Sequence, residues 1–180
     1  ILSKHKITKA HEGAFESESG VASRDRHGIL YAEMMKGDTP YHLFAVRLHK
    51  GNDREDEAIR SRQLDRVAQF IINRKIPRDE RVIIGGDFYV DKQPKILSQR
   101  GAYRGVKATY GKDINDIAYH NYPLGFVSYV LYSKDHAKPR SSFNIAMNMQ
   151  APKLWRLKKN KSYKSSLSDH LPVHGWFSWQ

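Results

Sequence analysis

The sequence contains no cysteine and no long hydrophobic run. Without cysteine, a disulfide framework, a thiol nucleophile and a cysteine-based zinc site are all excluded. No apolar stretch approaches the roughly 18–20 residues that a transmembrane helix needs. Acidic residues are also scarce: 19 Asp and Glu stand against 31 Lys and Arg, which gives a formal net charge of +12. We therefore expect the partners of this protein to be anionic surfaces.

The remaining composition is that of a folded domain. Hydrophobic residues make up 39% and aromatic residues 11% of the 180 residues, which is too much buriable material for a disordered chain. The chain is long enough for one domain with a sizeable core, whereas two independent domains would each be small, so we expect a single domain.

Periodicity predicts strands around one amphipathic helix. Residues 1–25 are polar and predict an irregular entry segment. Two β-rich runs, 29–33 and 41–48, flank a turn-forming cluster and predict a hairpin. Apolar residues recur at helical spacing from 55 to 74, and later runs predict strands at 81–87, 126–133 and 173–179.

Two short motifs carry candidate chemistry. Gly85-Gly86-Asp87 follows an apolar strand, so that Asp87 is either a metal-binding or proton-handling carboxylate or a structural cap. In Ser168-Asp169-His170, an Asp beside a His can support an imidazole that acts as a general base. Each motif alone is weak evidence of an active site.

Together, in this order, the motifs resemble those of the endonuclease/exonuclease/phosphatase (DNase I-like) superfamily. Within it, the chain is most similar to the bacterial neutral sphingomyelinases. The likeness covers roughly residues 20–180 and rests on further motifs: Gly28-Ile29-Leu30-Tyr31-Ala32-Glu33, Tyr41-His42-Leu43-Phe44, Arg62-Gln63-Leu64, Lys75-Ile76-Pro77-Arg78-Asp79-Glu80, Val90-Asp91-Lys92, Asn121-Tyr122-Pro123 and Ser133-Lys134-Asp135-His136-Ala137-Lys138-Pro139.

The resemblance implies an α/β fold, a DNase I-like sandwich represented mainly by its C-terminal half. We expect a mixed, mostly antiparallel sheet with flanking helices, in a single domain over residues 26–180. The N-terminal part of the family fold, with its metal-binding Glu, is expected to be missing. The family holds Mg²⁺ near a phosphodiester, and we expect no productive Mg²⁺ binding here.

The family's catalytic positions are partly kept and partly changed. Asp87, Asp169 and His170 stand at retained positions. Four positions are altered: Tyr89 replaces an Asn, Arg47 a His, His49 a Gln and Ser128 an acid. Because such groups act as a unit, losing several commonly removes nearly all of the rate. The resemblance therefore predicts a degenerate, non-catalytic homologue.

Two alternatives stay open. In the first, the protein is an active Mg²⁺-dependent sphingomyelin phosphodiesterase with a rebuilt site, in which Arg47 contacts phosphate and Glu33 or another acid binds the metal. In the second, the +12 charge serves non-specific nucleic-acid binding. The sphingomyelinase-type motifs argue against nucleic acid as the biological partner.

A basic segment predicts membrane engagement. Residues 138–164 include eight Lys and Arg and no acid, and family members carry an aromatic-tipped hairpin in this region. We expect Leu154, Trp155, Lys158 and Lys159 to meet the membrane, since Trp favours the headgroup boundary and basic residues an anionic leaflet. The alternative is that Trp155 is a core residue and the lysines a solvated face.

The resemblance predicts a secreted, extracellular bacterial haemolysin or virulence factor. Its partner would be a host membrane, through sphingomyelin or anionic lipid, or a host protein. Half of a two-sheet sandwich would leave an apolar sheet face uncovered, which predicts association with lipid or with a second copy.

Overall fold

A computed structural model describes residues 1–15, 27–51, 53–89, 128–147, 155–156, 163–164 and 172–179. The described elements are one helix and nine strands: β1 Lys6–Ala14, β2 Gly28–Lys36, β3 Thr39–Arg47, α1 Arg54–Ile72, β4 Arg81–Asp87, β5 Ser128–Tyr132, β6 Ser141–Ala146, β7 Trp155–Arg156, β8 Tyr163–Lys164 and β9 Val173–Ser178.

The first five strands form one sheet in the order β1-β2-β3-β4-β5. The β3–β4 pair is parallel, with α1 as its crossover, and the other three pairs are antiparallel. The predicted α/β class and mixed, mostly antiparallel sheet are confirmed, as are the β2–β3 hairpin and the helix.

The prediction of an irregular segment over residues 1–25 is wrong for β1. This strand occupies the edge of the sheet, and almost all of its residues are exposed. An edge strand with neither face buried has no need of alternating apolar residues, so periodicity does not reveal it.

The core lies between α1 and one face of the five-stranded sheet. Its innermost side chains are Leu64 and Val67 of the helix and Ile84 of β4, each essentially inaccessible to solvent. The helix begins at a capping box of two reciprocal hydrogen bonds. The backbone amide of Asp56 donates to the carboxylate of Asp53, and the backbone amide of Asp53 donates to the carboxylate of Asp56. This capping box fixes the start of the helix at Arg54.

A second, two-stranded sheet lies over the opposite face. It consists of antiparallel β6 and β9. Phe177 of β9 meets Tyr132 of β5 edge to face, and Trp179 meets Tyr41 of β3 in the same way. The described part of the chain contains no helix both long and apolar enough to cross a membrane.

A buried polar chain crosses the core. Nδ1 of His42 lies 2.8 Å from the Tyr31 hydroxyl oxygen, and Nε2 of His42 bonds to the Glu80 carboxylate. Burial, followed by the charge of Glu33, raises the pKa of Tyr31 to about 12. The chain links β2, β3 and the start of β4 at the end of the sheet opposite Asp87.

His136 lies partly buried in the segment between β5 and β6. Its Nδ1 lies 2.8 Å from the hydroxyl of Ser133. Burial lowers the pKa of His136, and the charges of His42 and Arg78 act the same way against the opposing charge of Asp135. Because the pKa of His136 is lower in the folded than in the unfolded state, its protonation favours unfolding. The stability contributed by neutral His136 is therefore complete above the usual pKa of about 6.5, and it is lost as the pH falls toward the folded-state pKa.

We therefore expect the thermal unfolding midpoint to drop as the pH is lowered below about 6.5. In His136→Gln, this part of the drop should disappear. Thermal melts of both proteins across this range are the measurement. An identical pH dependence in the variant would contradict the assignment to His136.

Candidate functional site

The carboxyl ends of β3 and β4 bring together three residues that the sequence singled out. Arg47 is the register partner of Asp87, and Asp87 is the register partner of Ser128 at the start of β5. Alternation along the strands places all three side chains on the face of the sheet opposite α1. Open α/β sheets bind ligands at this edge.

Gly86 allows the backbone to deliver Asp87 to this edge. Its φ is 142°, a conformation that residues with a side chain rarely adopt. A Cβ there would lie 1.9 Å from the carbonyl oxygen of Val46 on β3. The neighbouring Gly85 has ordinary van der Waals space for a Cβ. Only the second glycine of the motif is therefore required by the geometry.

Asp87 is held by its neighbours. The hydroxyl of Ser128 donates to Oδ1 of Asp87 at 2.6 Å, a charge-assisted hydrogen bond. The backbone carbonyl of Asp87 accepts from the amide of Leu48 at 2.9 Å, which ties the end of β4 to the chain leaving β3. Ser128 thus supplies a donor where the family resemblance places a second acid.

Replacing Ser128 tests this bond. We expect Ser128→Ala to lower the free energy of unfolding by about 1 to 2 kcal/mol, because the half-buried Asp87 carboxylate loses a hydrogen-bond donor. Ser128→Thr keeps the hydroxyl and should lie close to the wild type. Urea unfolding of the three proteins measures the difference, and equal stability of the Ala and Thr variants would contradict it.

Arg47 lies beside an open groove. The groove has a volume of about 380 Å³ and is lined by residues of β1, β2 and β3, among them Glu12, Leu30 and Ala45, and by His27, which directly precedes β2. The side chain of Arg47 is exposed. An exposed guanidinium next to a groove can bind phosphate or carboxylate through two parallel N–H bonds.

His49 is directed toward the helix. Its Nε2 lies 2.7 Å from Oδ1 of Asp56, and its amide donates to Oε1 of Gln63 at 2.7 Å. Burial, the largest influence, raises the pKa of Asp56, but hydrogen bonds from Asp53 and His49 outweigh it and hold the pKa below its usual range. Among the described contacts, His49 fastens the loop after β3 to α1 and does not reach Asp87.

Tyr89 lies just beyond the strand that carries Asp87. Its φ is 50°, in the left-handed region where Asn and Gly are favoured, and only 8% of its surface is exposed. The family resemblance places an Asn here, which suits this backbone conformation better.

Glu33 is not part of this cluster. It pairs in register with His42, five residues along β3 from Arg47, which corresponds to about 17 Å. Its carboxylate accepts from Nζ of Lys9 at 2.8 Å and from the hydroxyl of Thr8 at 2.7 Å. The Lys9 bond, followed by the Thr8 bond, holds the pKa of Glu33 below its usual range.

The described residues around Asp87 do not fit Mg²⁺. This ion needs an octahedral set of oxygen ligands, usually with one or two carboxylates. At this edge, Asp87 is the one described carboxylate, it already binds Ser128, and the cation Arg47 is its register partner. No group of three His, Asp or Glu within the described ranges could hold a metal.

Several predicted residues lie outside the described residues. These are Asp169, His170, Leu154, Lys158 and Lys159. Of the predicted membrane segment, the backbone of Trp155 is described, in β7, which pairs with β8. The roles assigned to all six stay predictions.

Sequence reasoning did not anticipate the Tyr31–His42–Glu80 chain. His42 lies in a strand where every second residue faces the core, and this inward position was the signal available. Tyr31 lies in β2 and Glu80 directly precedes β4, so their approach to His42 depends on the pairing of the sheet.

Comparison with known proteins identifies similar sequences. A phospholipase C of Staphylococcus aureus is 28% identical over 98% of this chain, and a sphingomyelinase C of Listeria ivanovii is 27% identical over the same share. A sphingomyelinase C of Bacillus cereus is 27% identical over 96%. The chain spans 58 to 59% of the length of these curated relatives. No family model matches the chain.

Solved structures share the fold. A crystal structure of Staphylococcus aureus beta toxin superimposes with a TM-score of 0.78 at 26% identity, covering 98% of this chain and 66% of that one. The structure of SmcL gives a TM-score of 0.80 at 24% identity, which supports the fold alone. A mutant beta toxin of similar match, with a TM-score of 0.79, contains bound magnesium ions. The predicted resemblance to bacterial sphingomyelinases and the predicted DNase I-like fold are confirmed.

Proposed function

We propose that this protein is a secreted, sphingomyelinase-like haemolysin homologue that binds a host membrane or host protein without hydrolysing lipid. The observation that carries the proposal is the strand edge around Asp87. There, a cation and a hydroxyl, Arg47 and Ser128, stand where the family resemblance places a His and an acid. A phosphodiesterase of this type needs a metal and a base aimed at one phosphate.

The charge of this edge supports binding rather than turnover. Oδ1 of Asp87 accepts from the hydroxyl of Ser128, which stands where the family resemblance places a second acid, so this edge offers a divalent cation one carboxylate fewer. Arg47, with its exposed side chain beside the groove, suits an anionic headgroup. The likeness to sphingomyelinases C and phospholipases C supports a membrane lipid as the partner.

The second candidate is an active Mg²⁺-dependent sphingomyelin phosphodiesterase with a rebuilt site. It is favoured by the position of Asp87 at the carboxyl end of a central strand, where enzymes of this class place catalytic groups. Arg47 would then contact phosphate, and the remaining ligands and the base would come from outside the described residues.

The two candidates are separated by one experiment with two readouts. Phosphocholine release from sphingomyelin vesicles is measured with Mg²⁺, and co-sedimentation is measured on the same vesicles. We expect the protein to sediment with the vesicles. Its phosphocholine release should not exceed that of an Asp87→Ala/His170→Ala control. Release that the control loses would establish the enzyme, whereas neither release nor sedimentation would leave a host protein as the partner.

A further inference from the structure

An aromatic patch lies on the outer surface of the small sheet. It consists of His174, Phe143 and Trp176, and the last two are 38% and 43% exposed. The rings of Phe143 and Trp176 stack at 5.3 Å between centroids with an interplanar angle of 18°. The ring of His174 stacks on Phe143 from the other side, at 6.3 Å and 10°. Three nearly parallel rings thus form a continuous exposed surface.

The patch faces away from the rest of the fold. Phe177 of β9 and Trp179, directly after this strand, point inward, toward Tyr132 and Tyr41 of the large sheet. Alternation along a strand therefore directs Trp176 outward, and its register partner Phe143 shares that side. The inward residues are the ones that hold the two sheets together. The outward rings add little to this packing, so their exposure needs another explanation.

The chain around the patch is basic. Neither β6 nor β9 contains an acidic residue, and exposed Lys138 and Arg140 directly precede β6. This segment is fixed at the end of β9, because the amide of Arg140 donates to the carbonyl of Ser178 at 2.7 Å. Asp135 and Lys134 are also exposed, and residues 134–140 carry a net charge of 3 − 1 = +2.

We propose that the aromatic patch is a membrane-contact surface that inserts at the headgroup level of an anionic leaflet. The proposal rests on the proposed membrane-binding function and names the surface and the lipid class. Trp176 is an aromatic ring with one polar edge, the kind favoured at the boundary between headgroups and acyl chains, and Phe143 adds apolar surface beside it. Each Lys or Arg near the surface adds attraction to an anionic leaflet.

Charge also favours lipid over a second copy of the chain. Each copy carries a formal net charge of +12, so two copies repel each other, whereas an anionic leaflet attracts every copy. The patch differs from the predicted segment around Trp155, which belongs to another pair of strands. The two contacts can therefore be tested separately.

The test measures binding to vesicles of phosphatidylcholine alone, with phosphatidylserine, and with sphingomyelin. The wild type is compared with Phe143→Ser/Trp176→Ser, with Trp155→Ser, and with Ile72→Ser as a control. Ile72 is 61% exposed at the end of α1, on the other side of the large sheet. Circular dichroism and thermal melts show that each variant is folded before its binding is measured.

We expect the double variant to bind phosphatidylserine vesicles about tenfold more weakly, since two exposed rings no longer leave water. The Ile72 variant should bind as the wild type does, and added salt should weaken binding. Brominated lipid should quench the tryptophan fluorescence of the wild type more strongly than that of the double variant, which lacks Trp176; a ring with a purely structural role would give no such difference.

Three results would overturn the proposal. In the first, the double variant binds vesicles like the wild type and only Trp155→Ser loses binding. The protein would then bind membranes, but through a surface other than the aromatic patch. In the second, the wild type binds none of the vesicles. Neither the proposed membrane binding nor the role of the patch in it would then hold. If the patch variants change the sedimentation coefficient and not lipid binding, the patch joins two copies of the chain.

Discussion

Gly86→Ala is expected to destabilise the protein by about 3 kcal/mol or more. Two effects combine at this residue. A φ of 142° is strained for any residue with a side chain, and the added Cβ would lie 1.9 Å from the carbonyl oxygen of Val46. That oxygen belongs to the backbone of β3, which cannot move without breaking the sheet beside Arg47 and Asp87.

Gly85→Ala is the matched control. A Cβ at Gly85 would meet the carbonyl oxygen of Tyr129 at 3.5 Å, an ordinary contact. Its cost should be about 1 kcal/mol or less. Urea unfolding of both variants gives the comparison. Equal destabilisation by the two substitutions would show that the motif needs glycine for a reason other than the approach of β4 to β3.

Phe88→Ala is expected to cost about 3–5 kcal/mol. Phe88 directly follows Asp87 and has no exposed surface, and its ring meets that of Tyr129 edge to face at 5.8 Å. Removing it leaves a cavity beneath the strand edge. Because the ring anchors the chain that leaves β4, the loss should also loosen the position of Asp87.

Phe88→Met separates the cavity from the change of residue type. Methionine fills most of the volume with a flexible side chain, so its cost should be about 1.5 kcal/mol or less. Chemical denaturation of the pair is again the measurement. If Phe88→Ala were as stable as Phe88→Met, the ring would not anchor the candidate site.

The two Phe88 variants also test the proposed function. Both act at the strand edge where Arg47, Asp87 and Ser128 meet, whereas the aromatic patch lies on another sheet. A folded Phe88→Met protein should therefore keep its membrane binding. Loss of binding in this folded variant would instead place the main lipid contact at the strand edge, where Arg47 suits an anionic headgroup.

The sequence predicted the elements whose pattern is local. Helix α1 shows apolar residues at helical spacing because one face is buried against the sheet, and the β2–β3 hairpin shows a turn cluster between two β-rich runs. Strand β1 escaped prediction because both of its faces are exposed, so burial imposed no pattern on it.

The candidate site was predictable as a set of residues and not as an arrangement. Motif resemblance singled out Arg47, Asp87 and Ser128, which lie 40 or more positions apart in the chain. Their proximity follows from the parallel β3–β4 and antiparallel β4–β5 pairings. The same pairings separate Glu33 from Asp87, although both acids were candidates for one metal.

The sequence by itself determined the charge, the absence of cysteine chemistry, the main helix and strands, and the family likeness. Each of these follows from composition, local periodicity or shared motifs, which are properties of the sequence alone. Only the tertiary structure decided which side chains meet. Strand pairing joined Ser128 to Asp87, and the packing of β9 on the large sheet turned Phe177 inward and Trp176 outward. These contacts connect residues distant in sequence, and no local pattern specifies them.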